Sequence, residues 1–170
     1  MDISMSRAAR EEFLAEARVG VLAVADDRNA GAPLQVPLWY SFEPGGDPGG
    51  EPRGQLTGEP GGEPRGEVVV LTPRSSLKAE LIRRCGRFGL CSQDEAPPYR
   101  YVSVEGPVVA VEEGLDRGEW EAMARRYLAP AAAASYLAAN EAQLDDHMTF
   151  RMRPEKWRAA DFSAFAAEFS

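Results

Sequence analysis

Leu71-Thr-Pro-Arg-Ser-Ser-Leu-Lys-Ala-Glu-Leu81 is the stretch from which the chain can be read in both directions. Before it, Glu67-Val-Val-Val-Leu71 has the β-branched content of a strand, and Thr72-Pro73 ends it. After it, Leu77, Leu81 and Ile82 recur at helical spacing, so a helix is predicted from Ser75 or Ser76 to Cys85. The charges at that helix start are unusual. A helix N-terminus carries partial positive charge and favours Asp or Glu, yet Arg74 and Lys78 stand there, at a local cost of some tenths of a kcal/mol each. Two readings follow. In one, the free N–H groups of the first turn, the hydroxyls of Thr72, Ser75 and Ser76, and the cations Arg74 and Lys78 form a phosphate site. In the other, a serine caps an ordinary helix and both cations point to water.

Working outward, strands dominate. Met5 to Arg18 is predicted as a short amphipathic helix, with Phe13 and Leu14 on its apolar side and Ser4 or Ser6 as cap. Val19 to Ala25 is a β-rich run, and Leu34 to Phe42 is a second strand. Pro37 removes a ladder hydrogen bond, which puts it at an edge, a bulge or a place where something else approaches. Arg87 to Gln93 is the strand after the helix. Tyr99 to Glu113 is a long strand or bent pair, with a bulge or kink at Gly106-Pro107. Asp116-Arg-Gly-Glu119 is a capping box opening a helix through Leu128, and Pro130 to Asp146 is a second, Ala-rich helix. Met148 to Arg153 alternates as a strand, and Trp157 to Ser170 reads as a tail carrying Phe162, Phe165 and Phe169. Successive strands joined by short turns imply a mainly antiparallel sheet, hence an α+β barrel with peripheral helices.

Residues 44–66 are different. Asp47-Pro-Gly-Gly-Glu-Pro-Arg-Gly54 is repeated almost unchanged at Glu59 to Gly66. Such a composition buries too little apolar surface to offset its ordering entropy, so the segment is expected to be a flexible loop inserted in one domain spanning 1–170.

Composition narrows the function classes. At 170 residues and 44% hydrophobic content the chain suits one soluble domain. No apolar run approaches the ~20 residues of a membrane span, and the charged Met1-Asp-Ile-Ser-Met-Ser-Arg lacks a signal core, so no membrane partner and a cytoplasmic location are expected. A net charge of −8 argues against nucleic acid, and bound anions must be held by a local cluster. Cys85 and Cys91 are read as reduced, structural thiols. One histidine, His147, gives no Cys/His metal set and no metal is expected.

The whole chain resembles the pyridoxamine 5'-phosphate oxidase-like, FMN-binding split-barrel family, in its flavin- or deazaflavin-dependent branch, over about residues 8–162. Six segments in order carry the resemblance: Ala17-Arg-Val-Gly-Val-Leu-Ala23, Gln35-Val-Pro-Leu-Trp-Tyr40, Thr72-Pro-Arg-Ser-Ser-Leu-Lys78, Phe88-Gly-Leu-Cys-Ser-Gln-Asp94, Tyr99-Arg-Tyr-Val-Ser-Val-Glu-Gly106 and Phe150-Arg-Met-Arg-Pro-Glu-Lys-Trp157. The resemblance implies a six-stranded antiparallel Greek-key split barrel that forms a homodimer with its cofactor at the interface. It implies that Thr72, Arg74, Ser75, Ser76 and Lys78 hold the cofactor phosphate, and that Val36, Pro37 and Leu38 lie along the ring system. Gln93, Tyr101 and Trp157 reach the site, from the partner subunit or the same one. The cofactor implied is FMN or, alternatively, the deazaflavin coenzyme F420, and the activity is oxidoreduction of a small organic substrate. A non-catalytic flavin- or haem-binding protein of the same fold is the alternative, with His147 the sole candidate axial ligand for haem. The sequence departs from the family at the repeat insertion, at Glu80 where the family has Asn, and at its end, Phe165-Ala-Ala-Glu-Phe-Ser170. That end lacks the Arg- and Trp-rich segment of the authentic vitamin-B6 oxidases, so oxidation of pyridoxamine phosphate itself is not expected.

Overall fold

A computed structural model describes residues 2–28, 31–45 and 66–168. The Pro/Gly repeat of the expected 44–66 loop lies outside the described residues except at its ends, and so does Phe169.

Helix α1 (Arg7–Ala15) is capped by Ser6, whose hydroxyl accepts the Ala9 N–H at 3.2 Å. It buries Phe13 and Leu14. Strands β1 (Gly20–Val24), β2 (Leu34–Leu38), β3 (Tyr40–Glu43) and β4 (Glu67–Pro73) follow, then helix α2 (Leu77–Cys85). Gly86 ends α2 in the left-handed region at φ 64°, its N–H donating to the Ile82 carbonyl at 2.8 Å. Next come β5 (Arg87–Gln93), β6 (Arg100–Glu113), α3 (Arg117–Tyr127), α4 (Pro130–Asn140), β7 (His147–Met152) and β8 (Lys156–Asp161).

All strand pairs are antiparallel. The sheet runs β2-β1-β5-β6-β7-β4-β3, with β8 added along β6. Its two ends, β2 and β3, are separated in sequence only by Trp39, so the sheet curls back on itself as a half-barrel. The long β6 makes the corner. Its first half pairs with β5 and β8, its second with β7, and the register shifts between Val108 and Ala110. Gly106 stands at that corner because a Cβ there would collide with the Arg153 carbonyl. The curl encloses Leu22, Tyr40, Val70, Leu90, Val104 and Phe150, and α1 and α2 add Phe13, Leu81 and Ile82 to the same cluster. Each such side chain, fully buried, contributes about 1.5–3 kcal/mol relative to exposure.

The structure has eight strands where the resemblance implies six. Two causes account for the difference. Trp39 interrupts the expected strand Leu34–Phe42, dividing it into β2 and β3. The segment read as a tail begins instead as β8, which pairs Lys156–Asp161 with Arg100–Glu105. Its sequence, Lys-Trp-Arg-Ala-Ala-Asp, has little intrinsic strand character, and a distant partner decides its state. The helix predicted over 130–146 ends at Asn140, and Glu141–Asp146 form a 3-10 turn. Asn140 donates through Nδ2 to the Tyr136 carbonyl at 2.8 Å, and the acids that follow oppose the negative end of a longer helix. No helix among the described residues is long and apolar enough to cross a membrane.

Candidate functional site

The turn from β4 to α2 is held by its own hydroxyls. Thr72, only 1% exposed, lies 3.0 Å from the Ser76 hydroxyl, which caps α2 by accepting the Ala79 N–H at 3.3 Å. Ser76 N–H donates to the Pro73 carbonyl at 3.0 Å, which closes the turn. Thr72 and Ser76 are therefore brought together, but each is committed first to shaping the loop. Arg74 turns aside: its guanidinium bonds Glu113 at 3.1 Å and the Asp145 carbonyl at 3.3 Å, and its N–H donates to the Asp146 carbonyl at 2.7 Å. Ser75 is exposed.

Lys78 behaves differently from Arg74. It is half-buried and has no hydrogen bond or ion pair among the described residues. Burial alone pushes its ammonium below the usual lysine range. An unpaired ammonium in that setting is unfavourable by itself and becomes favourable when an anion arrives. Glu80, noted in the sequence only as a departure from the family's Asn, is the first-turn carboxylate of α2 and accepts from Arg28 at 3.1 Å; Arg28 is also bound to Asp26. The signal was local: Glu80 sits in the first turn, where the helix dipole favours an acid.

The second part of the site is an interrupted ladder. β3 pairs with β4 from Glu43 opposite Glu67 to Tyr40 opposite Val70, and there it stops. Continued two residues further, that register would set Leu38 opposite Thr72. Instead β2 pairs with β1 alone, with Pro37 opposite Val21 and Val36 opposite Leu22. The half-barrel therefore splits between Val36–Leu38 and the Thr72–Lys78 turn, and among the described residues β2 pairs with a strand along one edge only. Pro37 sits in this edge strand, where a missing N–H is tolerated.

The remaining expected residues lie elsewhere. Gln93 and Tyr101 face each other across β5 and β6, next to the row that joins Leu38, Gly20 and Ser92. Trp157 lies on β8 opposite Val104. Four interstrand steps separate β8 from β2, about 19 Å along the sheet at ~4.8 Å per step. Trp157 packs edge-on against Phe42 at 6.1 Å, beneath the Arg10 guanidinium at 5.4 Å. Within one chain it packs on β3 and lies on a strand that does not pair with β2.

No family model and no curated protein matches the chain. Solved structures do. A conserved hypothetical protein from Mycobacterium tuberculosis superposes with a TM-score of 0.64 at 21% identity, over 96% of this chain and 89% of that one. An F420 reductase superposes at 0.59 and 18% identity, over 87% and 94%. An FAD-binding protein from Mesorhizobium loti does so at 0.54 and 20% identity, over 95% and 99%. The curled antiparallel sheet that splits beside a helix start defines a split-barrel class of protein. Its fold is the one these three solved structures share, in keeping with the split barrel that the sequence resemblance implies.

Proposed function

We propose that this protein is an oxidoreductase that uses FMN or the deazaflavin coenzyme F420 on a small organic substrate, and that it works in the cytoplasm as a homodimer of single-domain subunits. The observation that carries the reading is the bare, half-buried ammonium of Lys78 at the start of α2, across the split from the free edge of β2. The residues present fit a flavin-type phosphate. Lys78 and the Ser75 hydroxyl are the uncommitted groups, the first-turn amides of α2 point outward from the helix end, and Thr72 and Ser76 fix the loop that presents them. Arg74 joins only by giving up its exposed pair with Glu113, which holds it weakly, and its hydrogen bond to the Asp145 carbonyl.

Along the β2 edge, the backbone of Val36 and Leu38 offers N–H and C=O groups to the polar rim of a ring system. When bound, the flavin or deazaflavin supplies hydride transfer, and the chain's part is to position it and exclude water. The outer face of the same sheet is apolar where β2, β1 and β5 meet: Pro37, Val21 and Cys91 share one row, with Val21 40% exposed, Val19 47% and Tyr101 37%. That exposed apolar face supports the homodimer, and a second copy covering it would bring Gln93, Tyr101 or Trp157 of one subunit toward the split of the other. The names of the F420 reductase and the FAD-binding protein support a flavin-type cofactor in general.

The test is an absorption spectrum of the purified protein, followed by separate titrations with FMN and with F420. Saturable binding of either, weakened about tenfold or more by Lys78→Ala with an unchanged melting temperature, is expected. Equal affinity of the variant would remove the phosphate site, and binding of neither would end the oxidoreductase reading.

A further inference from the structure

A pocket of about 210 Å³ lies between the β3–β4 part of the sheet and the α3–α4 hairpin. Trp39, Trp120 and Tyr136 give it three aromatic walls; Leu71, Met123, His147 and, at its half-exposed mouth, Pro73 and Leu115 complete it. The rings are fixed before any ligand comes. Trp39 stacks on Tyr127 at 5.1 Å with an interplanar angle of 3°. The Tyr127 hydroxyl in turn accepts the Tyr40 N–H at 3.1 Å and lies 2.8 Å from the carbonyls of Arg18 and Tyr40. Tyr136 meets Trp39 at 5.5 Å and Trp120 at 6.1 Å, both tilted. Trp120, Met123 and Ala124 are buried, whereas Trp39, Tyr136 and His147 are partly exposed, so the pocket is closed at α3 and opens beside His147.

One polar group among the lining is defined in its hydrogen bonding. His147 Nδ1 lies 2.7 Å from the Gln143 carbonyl, which only accepts, so Nδ1 carries the hydrogen. The neutral ring then keeps a lone pair on Nε2. Pockets that combine flat apolar walls with one placed acceptor orient flat ligands carrying one donor. The volume sets the size: a cavity of about 150 Å³ holds benzene, so this one holds a single ring with a substituent or a small fused bicycle.

We propose that this pocket is a binding site for a small, planar, uncharged aromatic molecule bearing one hydrogen-bond donor, of the size of indole, oriented by His147 Nε2. The proposal goes beyond the cofactor reading and does not depend on it, since the pocket is complete within one chain and lies on the opposite face of β4 from the buried Thr72 side chain.

The experiment titrates the protein as purified with indole and, separately, with naphthalene, which matches it in shape without the donor. Calorimetry gives affinity, and side-chain NMR of Leu71, Met123 and His147 gives location. Indole is expected to saturate below about 1 mM, with shifts confined to those residues and naphthalene weaker by roughly tenfold. Leu115→Trp, which fills the half-exposed mouth, abolishes indole binding, and His147→Ala removes the preference for indole over naphthalene, each with the melting temperature retained. Absence of saturable binding to the folded wild type, equal affinity for both probes, or full binding by Leu115→Trp would each overturn the proposal. If either variant fails to fold, the wild-type comparison of the two probes and the NMR map decide alone.

Discussion

The polar turn and the aromatic pocket are built by opposite means. Seven consecutive residues, Thr72 to Lys78, make a turn whose shape rests on local contacts, Thr72 to Ser76, Ser76 to Pro73 and Ser76 to Ala79, with Arg74 reaching out to Glu113, Asp145 and Asp146. The aromatic pocket draws Trp39 from the β2–β3 junction, Trp120 from α3, Tyr136 from α4 and His147 from β7. Local hydrogen bonds leave the turn's stability to a helix cap, whereas the pocket's stability is that of the packing between hairpin and sheet. The difference teaches that a change in the turn should alter ligand affinity with little effect on folding, and a change in the pocket walls should do the reverse.

The sharpest way to break that contrast is Trp120→Ala. Trp120 is 6% exposed, and its truncation is expected to cost about 3–5 kcal/mol in urea unfolding, with phosphate-side affinity unchanged in whatever fraction stays folded. A loss below about 1 kcal/mol would mean that the hairpin barely supports the sheet. Lys78→Ala is the mirror image: about 1.4 kcal/mol or more of cofactor binding lost, which is the tenfold effect, and no loss of melting temperature. A small gain in stability is consistent with removing a desolvated ammonium.

Ser76→Ala lies between the two. It removes the α2 cap and leaves the buried Thr72 hydroxyl without its partner, an expected destabilisation of about 1–2 kcal/mol measured by denaturant midpoint. No change there would show that the turn is held by something other than its hydroxyls.

The smallest effect concerns Glu119, the residue before Trp120 on α3. It pairs with Arg151, which also holds Glu43 and Glu112. Burial pushes the Glu119 carboxyl above its ordinary 4.5, against the pull of Arg151. The folded protein thus keeps a proton that the unfolded chain has already released, and stability falls as pH rises through the window from 4.5 to the raised value. Glu119→Gln removes that loss. Relative to wild type it is expected to gain less than about 1 kcal/mol as pH is raised from acid to neutral. A relative gain that instead grew toward acid would contradict the sign.

Much of the architecture was legible in sequence because its causes are local. Ser6, Ser76 and Asp116 cap the helices they precede, the Asp116 hydrogen bond reaching Glu119 N–H at 3.0 Å. Arg87–Gln93 forms the strand expected over the same residues, and Gly106-Pro107 marks the corner of β6. The Thr72–Lys78 segment was identifiable because its charges run against the helix dipole. What was illegible depends on distant partners. Nothing in Lys156–Asp161 announces a strand until Arg100–Glu105 is beside it. The commitment of Arg74 to Glu113 joins positions far apart in the chain. The pocket joins four separate elements, and its aromatic residues are too widely spaced to form any pattern.

The sequence by itself determined where helices start, which faces of the strands are buried and that two cations stand against the dipole of α2, because caps, alternation and dipoles act over three or four residues. Only the tertiary structure decided that the chain leaves β4 at Trp39 to pair with β1, that Lys78 stays unpaired among the described residues while Arg74 binds Glu113, that Trp157 packs on Phe42, and that three aromatic rings and one imidazole meet around a hollow. Those outcomes depend on which strands find each other and how the α3–α4 hairpin seats on the sheet, and long-range packing energy settles them after the local preferences have been met.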